Sequence, residues 1–571
     1  MCTAFVSTTL VVPIFAPTAV SDDWLWARTV ETLLRDGRLR VPDLAAPTLV
    51  FQVIWGAFFA KLFGPTLGVL RLSTVVLVLL SGWALYGLCR ELDVSPERSL
   101  LGSAIYLFHP LAFGLTFTFM SDPQFVALCV IATFLYVRSI RPESPSQLVM
   151  LAGSGVAAMA LLVRQQGVLI PVAVMGYLLL SGQLRLDRLS ARIACLVAAV
   201  PFVTFVGYQL WLNLVNGVPN GQNLDHITKA SVSDNLLLLV SMAFVSMMYM
   251  GLFLLPLALA GTVRLVRLAR SLPWRRALFV VIWVLGLALG LRLFGADDKH
   301  MPYAALFLDP TGIGPQDLVG GRNTLIDTGG LMWVTGFSAF AAMVFGLLLA
   351  RTPRRAWRTR AGLVLALLVG QFVGTLPTSG AKVFADERVL SFDRYLLALL
   401  PFAVCLALWS LRGVRLPTVL AWTGTAVFAL YSVVGTRDLL VWQTSIWDLA
   451  REGNCMGAAK DRFDAGHAWT GYYLSDQTFL PDKVARTPAP RPWWMDQVAP
   501  DSDSGYLVST VSVPGRVNMK RVEYSQWLQK KRTYLYLSRR PDVTPARLDP
   551  DRGQSSEVCR SPRGRLRVEK P

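Results

Sequence analysis

Long apolar runs separated by short arginine-rich breaks pattern most of the chain. The first, Met1 to Val20, is about 20 mostly apolar residues, the length of one membrane crossing. It has no basic leading segment, and cleavage would leave Asp22 near a free terminus. An uncleaved first span is therefore expected, with the natural start upstream. From Ser21 the pattern changes. Trp24, Ala27, Val30, Leu33 and Leu34 recur at helical spacing, with Arg28, Glu31 and Arg35 opposite, which predicts a helix lying flat in the interface and closed by Gly37. Leu49 to Phe63 predicts a second apolar helix, too short to cross comfortably and broken at Gly64-Pro65.

Further spans are expected at Leu67–Leu88, Ser99–Phe117, Pro123–Val137, Leu148–Val163, Val168–Leu180, Ile193–Leu214, Leu236–Ala260, Ala277–Phe294, Leu331–Leu349, Gly362–Leu376, Leu396–Leu411 and Val419–Val434. With the first, the total is about 13. A cytoplasmic N-terminus makes alternate loops inner ones, and each is basic: Arg90 and Arg98, Arg138 and Arg141, Arg185 to Arg192, Arg264 to Arg276, Arg351 to Arg360, Arg412 and Arg415. This is the positive-inside pattern. It places Asp22-Asp23, the loop Gly295–Gly330 and everything after Gly435 on the extracytoplasmic face.

Composition agrees. Of 571 residues, 53% are hydrophobic and 16% charged, against about a quarter charged in soluble domains. Mean hydropathy is +0.47. The net charge of +18 resides largely in inter-span loops, which reads as orientation signal and headgroup contact, not nucleic-acid binding. The expected architecture is an all-α polytopic membrane protein with interfacial helices and a small extracytoplasmic α+β domain. Residues 1–435 form the membrane domain and 436–571 the tail. In the tail, Thr436–Phe463 reads helical, Tyr506–Val513 and Thr533–Ser538 alternate like strands, and Pro488–Pro492 and Pro541–Pro550 are linkers. Cys455 and Cys559 both lie in it, a plausible disulfide in an oxidising compartment. No metal-type cysteine cluster is present.

Acids at a membrane boundary are costly unless they meet water, a metal or a cation. Asp22-Asp23 follows Ser21 at a helix start, where capping and the helix dipole would explain the pair. A general base or a metal-binding carboxylate would explain it equally. With the run Phe119-Met120-Ser121-Asp122-Pro123, whose acid could also cap a span, this pattern resembles the GT-C glycosyltransferases: protein O-mannosyltransferases, lipid A aminoarabinose transferases and bacterial relatives. The resemblance covers roughly residues 1–435. It implies sugar transfer from a polyprenyl-phosphate donor to an extracytoplasmic glycan, lipid or protein acceptor, with inversion. It further implies that one of Asp22 and Asp23 is the base, Asp22 being chosen, and that Asp122 is a second outer-loop acid. Two carboxylates facing a phosphate would repel it unless a divalent ion lay between them, so Asp22 and Asp122 could share Mg²⁺ or Mn²⁺.

Arg164, in Arg164-Gln165-Gln166-Gly167, can pair with phosphate oxygens, although relatives often carry a Lys there. Arg28, one turn past the acids, is a second phosphate candidate. His109, within the third span, more readily hydrogen-bonds a neighbouring helix than reacts. Asp393-Arg394-Tyr395 is either a local ion pair or a wall of the donor cavity. Asp297, Asp298, Lys299 and His300 lie in an outer loop, and His467 lies in the tail; these are weaker candidates. No Walker loop, dinucleotide fingerprint, HExxH or GxSxG occurs. The competing classes are a transporter or lipid flippase, which would predict inverted repeats, and a scaffold that keeps the fold without turnover.

Overall fold

The computed structural model describes residues 1–141, 146–184, 187–222, 231–269, 272–296, 298–304, 306–351, 357–376, 392–456, 458, 462–478, 504–529 and 531–543, with backbone alone at 262–269 and 474–478. Cys559, Asp297, the linker 488–492 and the arginines within 352–356 lie outside them.

Residues 1–20 do not form a continuous span. Helix α1, Cys2–Ser7, runs into a 3-10 turn at Thr8–Leu10 and stops. Pro13 and Pro17 then remove backbone donors that a longer helix would need. At 1.5 Å per residue, α1 extends only about 9 Å, against about 30 Å of hydrocarbon. The expected first crossing is corrected, and with it the basis for a cytoplasmic N-terminus.

The amphipathic run forms helix α2, Asp23–Asp36. Its first two turns are buried almost all round, Asp23 to Ala27 and Thr29 to Glu31, so the expected polar face at Glu31 is covered, while Arg35 and Asp36 are exposed. Gly37 ends it as expected. At φ +67° it takes the left-handed conformation that lets its N–H reach back to the Leu33 carbonyl at 3.0 Å. Helix α3, Val50–Phe63, presents Ile54, Phe58, Leu62 and Phe63 outward. Trp55 ties it to the next helix by donating Nε1–H to the Ser73 carbonyl at 2.9 Å.

The bundle continues with α4 Leu67–Glu91, α5 Pro96–Phe108, α6 Pro110–Thr116, α7 Ser121–Ser139, α8 Gln147–Leu161, α9 Leu169–Leu180, α10 Arg188–Trp211, α11 Val232–Ala269, α12 Trp274–Ala296, α13 Thr328–Arg351, α14 Arg360–Thr375, α15 Asp393–Leu396, α16 Leu400–Ser410 and α17 Thr418–Cys455. Among the described residues seven helices are long and apolar enough to cross a membrane, or eight if a bent pair counts as one span. Gln147–Leu161, Gln165–Leu180 and Arg360–Thr375 are apolar but shorter, so this measure does not reach the expected 13. The bent pair corrects the expected third span. Helices α5 and α6 meet at 62° because Pro110 lacks the N–H that would continue α5. Central and peripheral helices differ: the most apolar window of α4 is 61% buried, and that of α12 only 17%, leaving α12 to face lipid.

The two ends of the bundle are distinct. At one, Glu91 accepts from Arg141 and, at 3.0 Å, from Arg360. Beside it, Arg98 donates to the carbonyls of Leu411 at 2.7 Å and Val414 at 2.6 Å. These arginines come from loops that the sequence pattern assigns to one side. The starts of α2, α7 and α15 lie at the other end.

Helix α17 is unbroken for 38 residues through Gly435, so the chain passes position 435/436 within one helix. At 1.5 Å per residue it is about 57 Å long, more than one crossing, and its second half is the platform of the tail. There a four-stranded sheet, order β3-β4-β6-β5, packs on it. The strands are β3 Phe463–Asp464, β4 Tyr506–Ser509, β5 Val517–Tyr524 and β6 Thr533–Arg539, with α18, Gly466–Thr478, after β3. The expected strand pair corresponds to β4 and β6, while β5 was not anticipated. Asp438 of α17 pins the segment between β5 and β6 by accepting from the Trp527 and Leu528 amides at 2.8 Å each. The outer loop carries a short hairpin, β1 Leu308–Asp309 with β2 Gly312–Ile313. It also joins the tail where Thr510 N–H donates to the Val319 carbonyl at 3.1 Å.

Candidate functional site

Asp22 and Asp23 are adjacent but point into different surroundings. Ser21, at φ +53°, turns the chain sharply into α2. Asp22 occupies the position before the helix yet makes no capping bond with its side chain. Asp23 is 2% exposed. Its Oδ1 accepts the Val20 amide and its Oδ2 the Phe119 amide at 3.3 Å. Its acceptor capacity is thus spent joining α2 to the run before α7. Burial pushes the Asp23 carboxyl up to about 7, opposed by Arg71 and the two amides. Arg71, wholly buried in α4, donates to the carbonyls of Ile14, Ala16 and Thr18 and so shapes the strand-like entry to Asp22.

The Asp22 carboxylate faces a cluster assembled from four separate parts of the chain. Arg394, at the start of α15, donates Nη2–H to Asp22 Oδ2 at 2.7 Å. Its Nε lies 3.9 Å from Asp122 Oδ2. Asp122, in the first turn of α7, forms an ion pair with Arg164, which follows α8. Arg164 also donates to Ser121 Oγ at 3.3 Å. Both guanidiniums lie over the Tyr395 ring, Arg164 at 4.7 Å and Arg394 at 5.2 Å. On the far side, His467 Nε2 approaches Asp22 Oδ1 at 3.7 Å. Side-chain exposure is 7% for each arginine and 4% for Asp122, but 31% for Asp22, so Asp22 is the open member. Burial works to raise its carboxyl, but the charges of Arg394 and His467 outweigh it and hold Asp22 below the usual carboxylate range. Among the described residues, Arg394 Nε and Asp122 Oδ2 are buried without a hydrogen-bond partner. Such orphaned atoms are rare and call for a ligand or water.

The sequence-predicted residues divide accordingly. Asp22, Asp122, Arg164 and Arg394 come together. Asp393, beside them, accepts the Phe307 amide at 3.1 Å and the Leu308 amide at 2.5 Å, which holds the β1–β2 hairpin at the site's rim. Arg28 does not join the cluster. It pairs with Glu31 at 2.8 Å and lies 5.8 Å over the Tyr472 ring, because its place on α2 faces the tail. His109 is fully buried, with Nδ1 accepting the Leu111 amide at 3.2 Å and Phe253 and Phe428 edge-on at 4.9 and 5.3 Å. It caps α6 and does not line the site. His300 pairs with Asp298 at 3.4 Å in the outer loop. The proposed Cys455–Cys559 bridge involves a cysteine outside the described residues.

The proximity of His467 to Asp22 was not foreseen. Sequence could not place it there, since 445 positions separate the two. Asp317, which lies near His467, was missed for the same reason. Nor do the carboxylates fit a divalent ion as arranged: Asp122 is paired to Arg164, Asp22 to Arg394, and two guanidiniums supply positive charge where the ion would sit. Among the described residues no group of three or more His, Cys, Asp or Glu could hold a metal ion.

Residues 47–211 match the family model described as dolichyl-phosphate-mannose-protein mannosyltransferase. The matched stretch contains Asp122 and Arg164 and leaves out Asp22. Among solved structures the chain is similar to apo ArnT from Cupriavidus metallidurans, at 15% identity over 94% of this chain and 97% of that one, TM-score 0.40. It is also similar to the same protein bound to undecaprenyl phosphate, at 14% identity over 94% and 97%, TM-score 0.38. A third similarity is to the archaeal oligosaccharyltransferase AglB from Archaeoglobus fulgidus in complex with an inhibitory peptide and a dolichol-phosphate. There the identity is 12%, over 88% of this chain and 64% of that one, with a TM-score of 0.38. At these scores no residue correspondence is drawn. No curated protein sequence matches the chain.

Proposed function

We propose that the chain is a membrane glycosyltransferase that moves a sugar from a polyprenyl-phosphate donor to a hydroxyl of an extracytoplasmic glycan, lipid or protein. The observation that carries this reading is the half-open Asp22 carboxylate set over two buried guanidiniums. An acceptor hydroxyl is a weak nucleophile and needs a proton acceptor within hydrogen-bond reach. Asp22, held in its ionised form, meets that need. As the anomeric carbon–oxygen bond to phosphate breaks, negative charge grows on the leaving oxygens. Arg394, with an unsatisfied buried Nε–H, and Arg164 are placed to receive it. Displacement by the acceptor at the face opposite the leaving group gives inversion.

The membrane orientation follows from charge. The arginines of the inner loops converge on Glu91 and the Leu411–Val414 turn, so that end faces the cytoplasm by the positive-inside rule. Asp22 and the tail then lie outside, where a donor enters sideways from the outer leaflet. The protein resides in the cell membrane with multiple crossings.

The test uses purified full-length protein in lipid nanodiscs. The donors are radiolabelled polyprenyl-phosphate mannose, glucose and arabinose, and the acceptor is cell-envelope extract. Wild-type protein is expected to transfer from at least one donor, and Asp22→Asn to lose that transfer. Absence of transfer from all three by the wild type, or undiminished turnover by the variant, rejects the reading.

A further inference from the structure

The tail is more than a cover for the site. Its helix α18 starts at Gly466, and a Cβ there would lie 3.2 Å from Leu318 Cδ2 and 3.3 Å from Asp317 Cγ, tighter than most Cβ contacts. Gly466, at φ +82°, therefore lets the helix start pressed against the outer loop. That contact fixes the next residue, His467. The Trp24 ring meets its imidazole edge-on at 6.0 Å, and Trp24 in turn packs on Gly471, where a Cβ would meet the indole at 2.3 Å. Tyr472 donates its hydroxyl to Glu31 of α2. Trp447, Trp469, Tyr472 and Tyr473 fill the space behind, with centroids 4.2 to 5.9 Å apart. These aromatic contacts hold α18 against α17, while Trp24 and Glu31 tie it to α2. The groups facing His467 are Asp22 from the start of α2 and Asp317 from the outer loop. Asp317 is buried with Oδ1 unpartnered among the described residues.

We propose that His467 is a positioning residue of the transfer site. The tail delivers its Nε2 to Asp22 Oδ1 and holds that carboxylate at the angle from which it accepts the acceptor's proton, while Arg394 grips the other oxygen. Asp317 stands beside the ring from the outer loop. The acceptor must then reach Asp22 past residues of the tail, which makes the tail part of the acceptor-side wall. This proposal rests on the transfer chemistry proposed above.

The experiment compares wild type, Asp22→Asn, His467→Ala and His467→Gln, full length, in nanodiscs with the donor that the wild type turns over. His467→Ala is expected to lower kcat by at least about 10-fold, the scale of a misplaced reacting group, with donor KM unchanged. His467→Gln, which keeps an N–H donor at similar reach, is expected to recover most of the loss. Wild-type kcat in His467→Ala, or a His467→Gln as impaired as His467→Ala, overturns the positioning role while leaving Asp22 in place. Undiminished turnover in Asp22→Asn overturns the underlying reading instead.

Discussion

Each end of the bundle carries a buried cluster of acids and arginines, and the two are built in opposite senses. At the Glu91 end the acid is hidden: Glu91 is 3% exposed, while its partners Arg141 and Arg360 are 40% and 25% exposed. At the Asp22 end the arginines are hidden, at 7% each, and Asp22 is 31% open. A buried carboxylate saturated by two water-facing guanidiniums has no capacity left and serves as a lock between α4, the end of α7 and α14. An open carboxylate backed by buried guanidiniums still presents lone pairs to the side that is exposed. The same residue types thus make a clamp in one place and a reactive corner in the other, and exposure of the acid distinguishes them.

The largest test of that contrast exchanges the two acids. Asp22→Asn is expected to lower transfer by about 10²–10⁴-fold, the range for a general base, and to lower the unfolding temperature in nanodiscs, because Arg394 is buried and is left with Asp122 at 3.9 Å. Glu91→Gln should leave turnover per folded molecule intact. Its two arginines face water, so the stability loss is that of their charge-assisted hydrogen bonds, about 1.5–3 kcal/mol. If Glu91→Gln abolishes turnover at full stability, the distinction fails.

The neighbouring Asp23 sharpens the comparison through pH. Its folded-state carboxyl, raised to about 7 by burial, keeps its proton where the unfolded chain, titrating near 3.9, has lost it. The folded state therefore binds the extra proton between roughly pH 4 and 7, and stability declines across that window as pH rises. Urea unfolding at stepped pH should show this slope, and Asp23→Asn should flatten it. Asp22 is held low, so it stays ionised through neutral and mildly acidic pH and sets no acid limb on activity until below its ordinary range.

Smaller effects are expected from Arg28→Ala. Its partner Glu31 is 1% exposed but keeps the Tyr472 hydroxyl, so a stability loss of about 1–3 kcal/mol with unchanged donor KM is expected from calorimetry and initial rates. The smallest is chelation. With guanidiniums occupying the space between the carboxylates, EDTA dialysis should leave turnover unchanged, and a metal-restored activity would overturn that assignment.

Much of the fold was legible because lipid imposes local rules. Each crossing must satisfy its own backbone and hide polar groups within one apolar run, so the runs from Leu67 to Val434 announce their helices, and Gly37 and Gly64 announce their ends. The long apolar stretch at Met1–Val20 misled because composition alone does not register that Pro13 and Pro17 break the ladder. Near 435 the pattern turns polar without announcing that α17 continues there as one helix.

By itself, then, the chain's pattern determined a helical membrane body, which loops are basic, and that acids stand at Asp22 and Asp122 beside turns. Only the tertiary structure decided which acid is open. Asp22 and Asp23 are chemically identical neighbours, but the rotation of about 100° between successive helical residues sends one toward Arg394 and His467 and the other into backbone amides. Their partners lie hundreds of positions away, where no local pattern reaches.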